Sequence, residues 1–396
     1  MISVAEAVET IRRALSPLGA EEVAVEEAAG RTLAAPVVAA LSQPPFAASA
    51  MDGYAVRFAE AQAEGARLSL AGVSSAGERF AGPLPAGGAV RIFTGAPVPE
   101  GADHVLVQEE ARAEGGEIVV AKAQAKPGNI RAAGIDFREG ERLLERGTRL
   151  TGPALALAAA AGAARLPVVR RPRVALIANG DELVLPGKDL EPDQIVCSIP
   201  YGLGPMIEGW GADATFLGIA PDERSAIRRL VAQATDCDLI VPIGGASVGE
   251  RDFMRAVFAD LGFRPLFEKV AVKPGKPTWF APGKSAAALG LPGNPASALV
   301  MAILLLKPAV ARLLGQAGEA RLIRARTETP LPATGPRETY LRARLIEGED
   351  GARRVAAFGN QDSSLLSVFA RADVLIRRPA GAPPASAGAP VACVAI

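Results

Sequence analysis

The chain has 396 residues, 49% apolar and 22% charged, with Lys plus Arg and Asp plus Glu balanced at 43 each. That length allows two to four domains with sizeable cores. The neutral balance excludes an overall charge that would draw the protein to nucleic acid or an anionic membrane. Cys197, Cys237 and Cys393 are too few and too far apart for a disulfide framework or a CxxC metal site, and they fit a reducing cytoplasm.

The N-terminal stretch "MISVAEAVETIRRALSPL" sets Val4, Val8, Ile11 and Leu15 among Glu6, Glu9, Arg12 and Arg13. This is the spacing of an amphipathic helix rather than a signal peptide. Residues 44–137 alternate short apolar segments ("RLSLAGV", "AVRIF", "HVLVQEE", "EIVVAKA") with Gly/Pro turns, and predict a compact β-rich module. An Ala-rich helix follows within 138–168, which with 1–43 forms an N-terminal and connector domain. From 169 to 317 the strand candidates "RVALIA", "ATFLGIA", "DLIVPIGG", "LFEKVAV" and "SAAALGL" are interleaved with helical patterns near 200–210, 222–234, 252–261 and 295–313. That alternation predicts a mostly parallel α/β sheet covered on both faces. The apolar run "ALVMAILLL" at 298–306 is too short to span a bilayer and reads as a buried helix. Residues 318–396 return to β signals and predict a C-terminal β domain. The fold class expected is therefore multi-domain, α/β plus β-rich modules.

Ligands of open α/β sheets bind at the carboxyl ends of the strands, and four stretches are expected there. "ANGDELV" (178–184) offers Gly180 for a tight turn, with Asp181 and Glu182. "IGGASVGERD" (243–252) offers Gly244 and Gly245 for an anion-binding backbone nest, open to close approach by a ligand. Ser247 adds a hydroxyl and Asp252 a carboxylate for a hard cation. "EKVAVKPGKP" (268–277) carries Lys269 and Lys273, which an even strand spacing puts on one face, and Lys276. "GLPGNPASAL" (290–299) reads as a helix start, with Asn294 as N-cap and Pro295 as first residue, and hence as an anion site. Each part alone has a plainer reading as a turn, a solvated loop, an edge-strand charge pattern or a helix cap. Their joint placement favours a phosphorylated ligand with Mg²⁺, because the donors are oxygens. His104 is the single histidine, which excludes a Ser-His-Asp triad or a His-based metal cage, and no GxxxxGK[ST] loop is present.

With these motifs stand "PPFAASAMDGYAVR" (44–57), "VRIFTGAPVPEGADHVLVQE" (90–109), "KPGNIRAAGIDFREGERLL" (126–144), "VAVKPGKPTWF" (270–280) and "NQDSSLLS" (360–367). Over nearly its whole length the chain resembles the molybdopterin molybdenumtransferase family, related to the E domain of gephyrin. The resemblance implies an elongated cytoplasmic homodimer of four-domain subunits. It implies Mg²⁺-dependent insertion of molybdate into adenylylated molybdopterin with release of AMP, and a molybdopterin adenylyltransferase as delivery partner. It also implies a cleft shared between subunits. Glu182, Asp222, Asp252, Lys269, Lys273, Pro292 and Pro295 would come from one, and Asp52, Thr94, Arg131 and Asp136 from the other, with Ser363 of the C-terminal domain joining them. In that scheme Glu182, Asp52, Thr94, Asp136, Lys269 and Lys273 are catalytic, and Asp252 and Glu182 hold the metal. Arg131, Asp222, Gly244, Gly245, Ser247, Pro292, Pro295 and Ser363 bind the ligand.

The chain departs from the family pattern in three places. Cys197-Ser198-Ile199 stands where relatives carry Asp-Ser/Thr-Asn, Ala47 and Ala48 stand at polar positions, and Asn179 often corresponds to Thr. The first departure keeps open a second reading, a non-catalytic paralogue that binds the mature cofactor and hands it on. A clustering scaffold is disfavoured by the absence of a long linker or fused domain.

Overall fold

The computed structural model describes residues 1–245, 253–316, 322–348 and 351–396. Ser3 opens the first helix, Val4–Ala14, with a capping box: its hydroxyl accepts from the Glu6 amide at 3.2 Å, and its own amide donates to the Glu6 carboxylate at 2.7 Å. Val4, Ala7 and Ile11 form its buried stripe. They pack into the core of the central domain with Ile303, Leu306 and Val310, each large side chain contributing about 1.5–3 kcal/mol of burial. The strand Ala20–Ala24 pairs antiparallel with Arg165–Val169, and Val37–Val38 with Arg142–Leu144. The segments on either side of the β-rich module therefore meet around Leu33, Val37, Phe137 and Leu166.

The β-rich module is a six-stranded sheet in the order His104–Val107, Gly53–Val56, Gly88–Ile92, Arg67–Ser74, Glu117–Val120 and Ala111–Glu114. A two-stranded ribbon, Ala48–Ser49 with Ile130–Arg131, accompanies it. Its lone histidine is 1% exposed: Nδ1 accepts from the Gly128 amide at 3.0 Å and the ring meets Phe58 edge-on.

The central sheet runs Asp213–Ala220, Arg173–Asn179, Leu239–Ile243, Ala287–Gly290 and Trp279–Pro282. The first four strands are mutually parallel and the last is antiparallel. Leu239–Ile243 is buried along its whole length, which is why that strand reads as an uninterrupted apolar run. One expectation is corrected. The segment "LFEKVAV" touches this sheet only at its start, where the Leu266 amide donates to Phe280 O at 2.9 Å and the Phe280 amide to Phe267 O at 3.0 Å in an isolated antiparallel bridge. Beyond Phe267 its backbone groups are taken elsewhere. The Ile2 amide donates to Lys269 O, the Ala271 amide to Ile2 O, and the Val270 amide to Lys276 O. Only Val272–Lys273 pairs as a strand, with Glu338–Thr339 of the C-terminal domain.

Residues 295–313 form one continuous helix, long and apolar enough to cross a bilayer, but 83% of it is buried inside the protein. It widens to a π-type turn at Ala302–Leu306. Pro308 accounts for this, since it lacks the amide that an α-ladder needs and its ring crowds the preceding turn. The C-terminal strands Glu338–Glu347, Arg353–Ala357, Ile323–Thr327, Pro390–Ala395 and Val374–Arg378 pair in that order, and the first also pairs with the last, closing a small barrel.

Candidate functional site

A cavity of about 1000 Å³ opens at the carboxyl edge of the central sheet. Asn179 ends the strand Arg173–Asn179, and Gly180 and Glu182 follow it; Asp222 follows Asp213–Ala220, Gly244 and Gly245 follow Leu239–Ile243, and Pro292 and Pro295 follow Ala287–Gly290. These are four neighbouring strand ends around the point where the order reverses, the usual ligand crevice of such sheets. Asn179 is 5% exposed, and its side-chain amide donates to Ala220 O at 3.1 Å and Pro221 O at 3.3 Å. Asp181 accepts from the Asp222 amide at 2.9 Å. These bonds tie the loop that carries Glu182 to the loop that carries Asp222.

The glycine pair is required by the chain itself. Gly244 has φ +91°, and a Cβ there would lie 2.6 Å from Asn179 O; at Gly245, φ +62°, it would lie 2.5 Å from Asn179 Oδ1. The obstacle is the neighbouring strand end, not a ligand. The Gly244 amide is also spent, donating to Leu291 O at 3.1 Å, so it is not the free donor that the backbone nest called for. Ser247 and Asp252 lie outside the described residues.

The lysines separate. Lys269 lines the first cavity and Lys273 a second one of about 690 Å³. The shared strand face expected for them does not form, because the segment between them is not a regular strand. Lys276, Pro277, Pro292 and Asn294 line both cavities. The second cavity sits between the central domain and the barrel. Its charged lining is Lys273, Lys276, Arg337 and Asp362, three cations against one carboxylate. The first balances Glu182 and Asp222 against Lys269 and Lys276.

Asn294 occupies the cap position but its side chain makes no cap bond; it donates instead to Ser363 Oγ at 2.9 Å. Ser363 O accepts the Ala296 amide at 2.9 Å, so part of the helix start is already occupied by protein. Ser363 lines the second cavity and Ser364 the first. Asp362 accepts from the Ser364 hydroxyl at 2.7 Å and its amide at 2.9 Å, and these bonds hold its carboxyl below the usual range. Ser364 and Arg337 carry no site signal in the sequence, and Lys276 belongs to one of the expected stretches without an assigned role.

One wall of the first cavity is apolar: Leu183, Ile195, Val196, Cys197 and Ile199. Cys197 is 3% exposed, and burial pushes its thiol pKa up, so it stays protonated. Asp52, Thr94, Arg131 and Asp136 line neither cavity. Two of them meet. Asp52 accepts from the Thr94 amide at 2.7 Å and its hydroxyl at 2.8 Å, which hold its carboxyl below the usual range. Arg131 pairs in register with Ala48, and the Asp136 amide donates to Gln43 O at 3.1 Å.

A multi-domain chain with its cavity at the carboxyl edge of an open α/β sheet defines a ligand-binding class, and the sequence comparisons sharpen it. Residues 175–312 match a probable molybdopterin binding domain, residues 2–162 the MoeA N-terminal region (domains I and II), and residues 324–396 the MoeA C-terminal region (domain IV). The molybdopterin molybdenumtransferase of Haemophilus influenzae is 36% identical over 364 residues, 91% of this chain and 90% of that protein; that of Bacillus subtilis is 34% identical, covering 91% and 86%. A MoeA protein structure from Pyrococcus horikoshii superposes with a TM-score of 0.85 at 31% identity, covering 100% of this chain and 99% of that one. The chain belongs to the molybdopterin molybdenumtransferase family, transferases of molybdenum cofactor biosynthesis.

Among the described residues no three His, Cys, Asp or Glu side chains are grouped to cage a metal ion. Glu182 and Asp222 nevertheless suit Mg²⁺, which commonly takes one or two protein carboxylates and completes its shell with phosphate oxygens and water.

Proposed function

We propose that the protein inserts molybdate into adenylylated molybdopterin in a Mg²⁺-dependent reaction that releases AMP. The observation that carries this reading is the meeting of four strand ends, with Glu182, Asp222 and Lys269, on one large cavity that adjoins a smaller cationic one. The larger cavity suits an extended phosphorylated ligand, with the apolar wall from Leu183 to Ile199 against its ring system. The smaller suits a compact oxyanion held by Lys273, Lys276 and Arg337. Lys269 and Lys276 stabilise the negative charge that develops as the phosphoanhydride is hydrolysed to AMP and molybdopterin. Mg²⁺, when bound, gathers charge on the phosphate oxygens; Glu182 would hold it, with Asp222 on the same cavity, and Asp252 is the further ligand that the family resemblance implies. The ligand's dithiolene supplies sulfur for molybdenum, so the chain needs no cysteine of its own for that purpose.

Asp52, Thr94, Arg131 and Asp136 line neither cavity of their own chain. This supports a homodimer in which the β-rich module of one subunit completes the cleft of the other. A molybdopterin adenylyltransferase would supply the substrate, and the setting would be cytoplasmic. The test mixes purified protein with adenylylated molybdopterin, Mg²⁺ and molybdate, and follows AMP and active cofactor. Release of both supports the reading. Tight binding of mature cofactor without AMP release would identify a paralogue that only hands the cofactor on, consistent with the apolar Cys197–Ile199 wall.

A further inference from the structure

The segment 358–365 of the barrel has no helix or strand of its own, yet it walls both cavities. Asn360, Gln361, Asp362 and Ser363 face the second, and Ser364 the first. An irregular loop needs something to fix it, and Arg342, on the strand Glu338–Glu347, does so. Arg342 is 1% exposed. Its backbone amide and Nε donate to Gln361 Oε1 at 3.0 and 3.1 Å, and Nη1 donates to Asp362 O at 2.9 Å and Leu365 O at 3.4 Å. Gln361 answers by donating to Arg342 O at 2.9 Å and Phe358 O at 2.8 Å. No carboxylate hydrogen-bonds to it, although the Asp362 carboxylate attracts it through space, and Arg342 Nη2 has no partner. A buried cation hydrogen-bonded only to neutral oxygens is a poor source of stability compared with an apolar side chain. What it provides here is geometry, since a planar fork fixes several acceptors at once. From the other side the loop is pinned by Asn294 and the Ala296 amide, both on Ser363.

We propose that Arg342 and Gln361 are positioning residues, which set the 360–364 loop against the start of the 295–313 helix and so fix the wall common to the two cavities. The functional half of this proposal rests on the reading of the cavities as the substrate cleft. The structural half does not. The test uses the full chain with Gln361→Leu, which keeps approximate size at a half-buried position but removes every bond, and Arg342→Lys, which keeps the charge but loses the fork. Hydrogen exchange at the Ala296 and Ser364 amides is read first and is expected to rise about tenfold or more in both variants, the effect of losing about 1.4 kcal/mol of hydrogen bonding. The KM for molybdate should rise by a similar factor while kcat changes much less. Wild-type exchange at both amides in Gln361→Leu would overturn the proposal. So would a fall in kcat at unchanged KM. If wild-type protein released no AMP, the proposed reaction would fail while exchange still judged the positioning. If Arg342→Lys failed to fold, Gln361→Leu would decide alone.

Discussion

In the central domain, Glu182, Asp222 and Lys269 come from separate stretches of sequence yet line one cavity within a single chain. In the β-rich module, Asp52 and Thr94 hydrogen-bond directly to each other, with Arg131 on a nearby ribbon, but none of them reaches either cavity. The first region is a container with some of its chemistry in place. The second is a fixed carboxylate–hydroxyl pair that lines no cavity of its own chain. The two Thr94 donors hold the Asp52 carboxyl below the usual range, and in the proposed homodimer a second subunit would bring it to the cavity.

Loss of either region's carboxylate should have the strongest effect. Glu182→Ala and Asp52→Ala should each lower the kcat of AMP release about 10²–10³-fold, with thermal unfolding little changed, since both side chains lie on surface loops. A wild-type rate for Asp52→Ala would remove the β-rich module from the chemistry. The glycines separate a crowded strand end from an open turn. Gly245→Val meets Asn179 Oδ1 and the Met254 side chain at positive φ, and should cost about 3 kcal/mol in urea unfolding. Gly95→Ala, also at positive φ but with nothing within 4 Å, should cost only about 1 kcal/mol. Equal losses would contradict the packing argument. Asp252→Asn should raise the Mg²⁺ concentration for half-maximal activity about tenfold, the equivalent of about 1.4 kcal/mol; superimposable Mg²⁺ titrations would reduce Asp252 to a helix cap.

The smallest effect is a pH dependence confined to the β-rich module. Burial pulls the His104 pKa below its ordinary value, outweighing the Gly128 hydrogen bond and the charges of Asp103 and Glu110. The unfolded chain therefore takes up this proton near pH 6.5, and the folded chain only at lower pH. The contribution of neutral His104 is complete above about pH 6.5 and is lost as pH falls from there toward the folded value. A series of urea melts in that window should show stability declining, and His104→Gln should flatten the decline.

The strand ends were legible in the sequence because buried parallel strands alternate with helices, and the carboxyl edge follows from that alternation alone. Asn179 to Glu182, Gly244 with Gly245, and Pro292 to Pro295 needed no further information. Lys269 and Lys273 misled because "LFEKVAV" has strand composition. After one bridge from Phe267 to Phe280, its hydrogen bonds go to Ile2 and Lys276, and a contact with the chain's second residue leaves no local trace. The antiparallel edge Trp279–Pro282 is four residues long between prolines and gives little signal. Arg342 was hidden differently: with Arg344 it alternates along one strand and reads as part of an exposed face, yet Arg342 is buried and Arg344 exposed. What buries it is a loop about 20 residues further on, and local pattern does not report that.

The shared cleft is tested most directly by mixing Asp52→Ala and Glu182→Ala proteins, with subunit exchange verified by native mass spectrometry. A cleft built from both subunits predicts one intact site per mixed dimer, and recovery to about a quarter of wild-type AMP release in a random mixture. Activity that stays at the level of the parent variants, despite complete exchange, would place Asp52 and Glu182 in the same subunit's cleft and contradict the account.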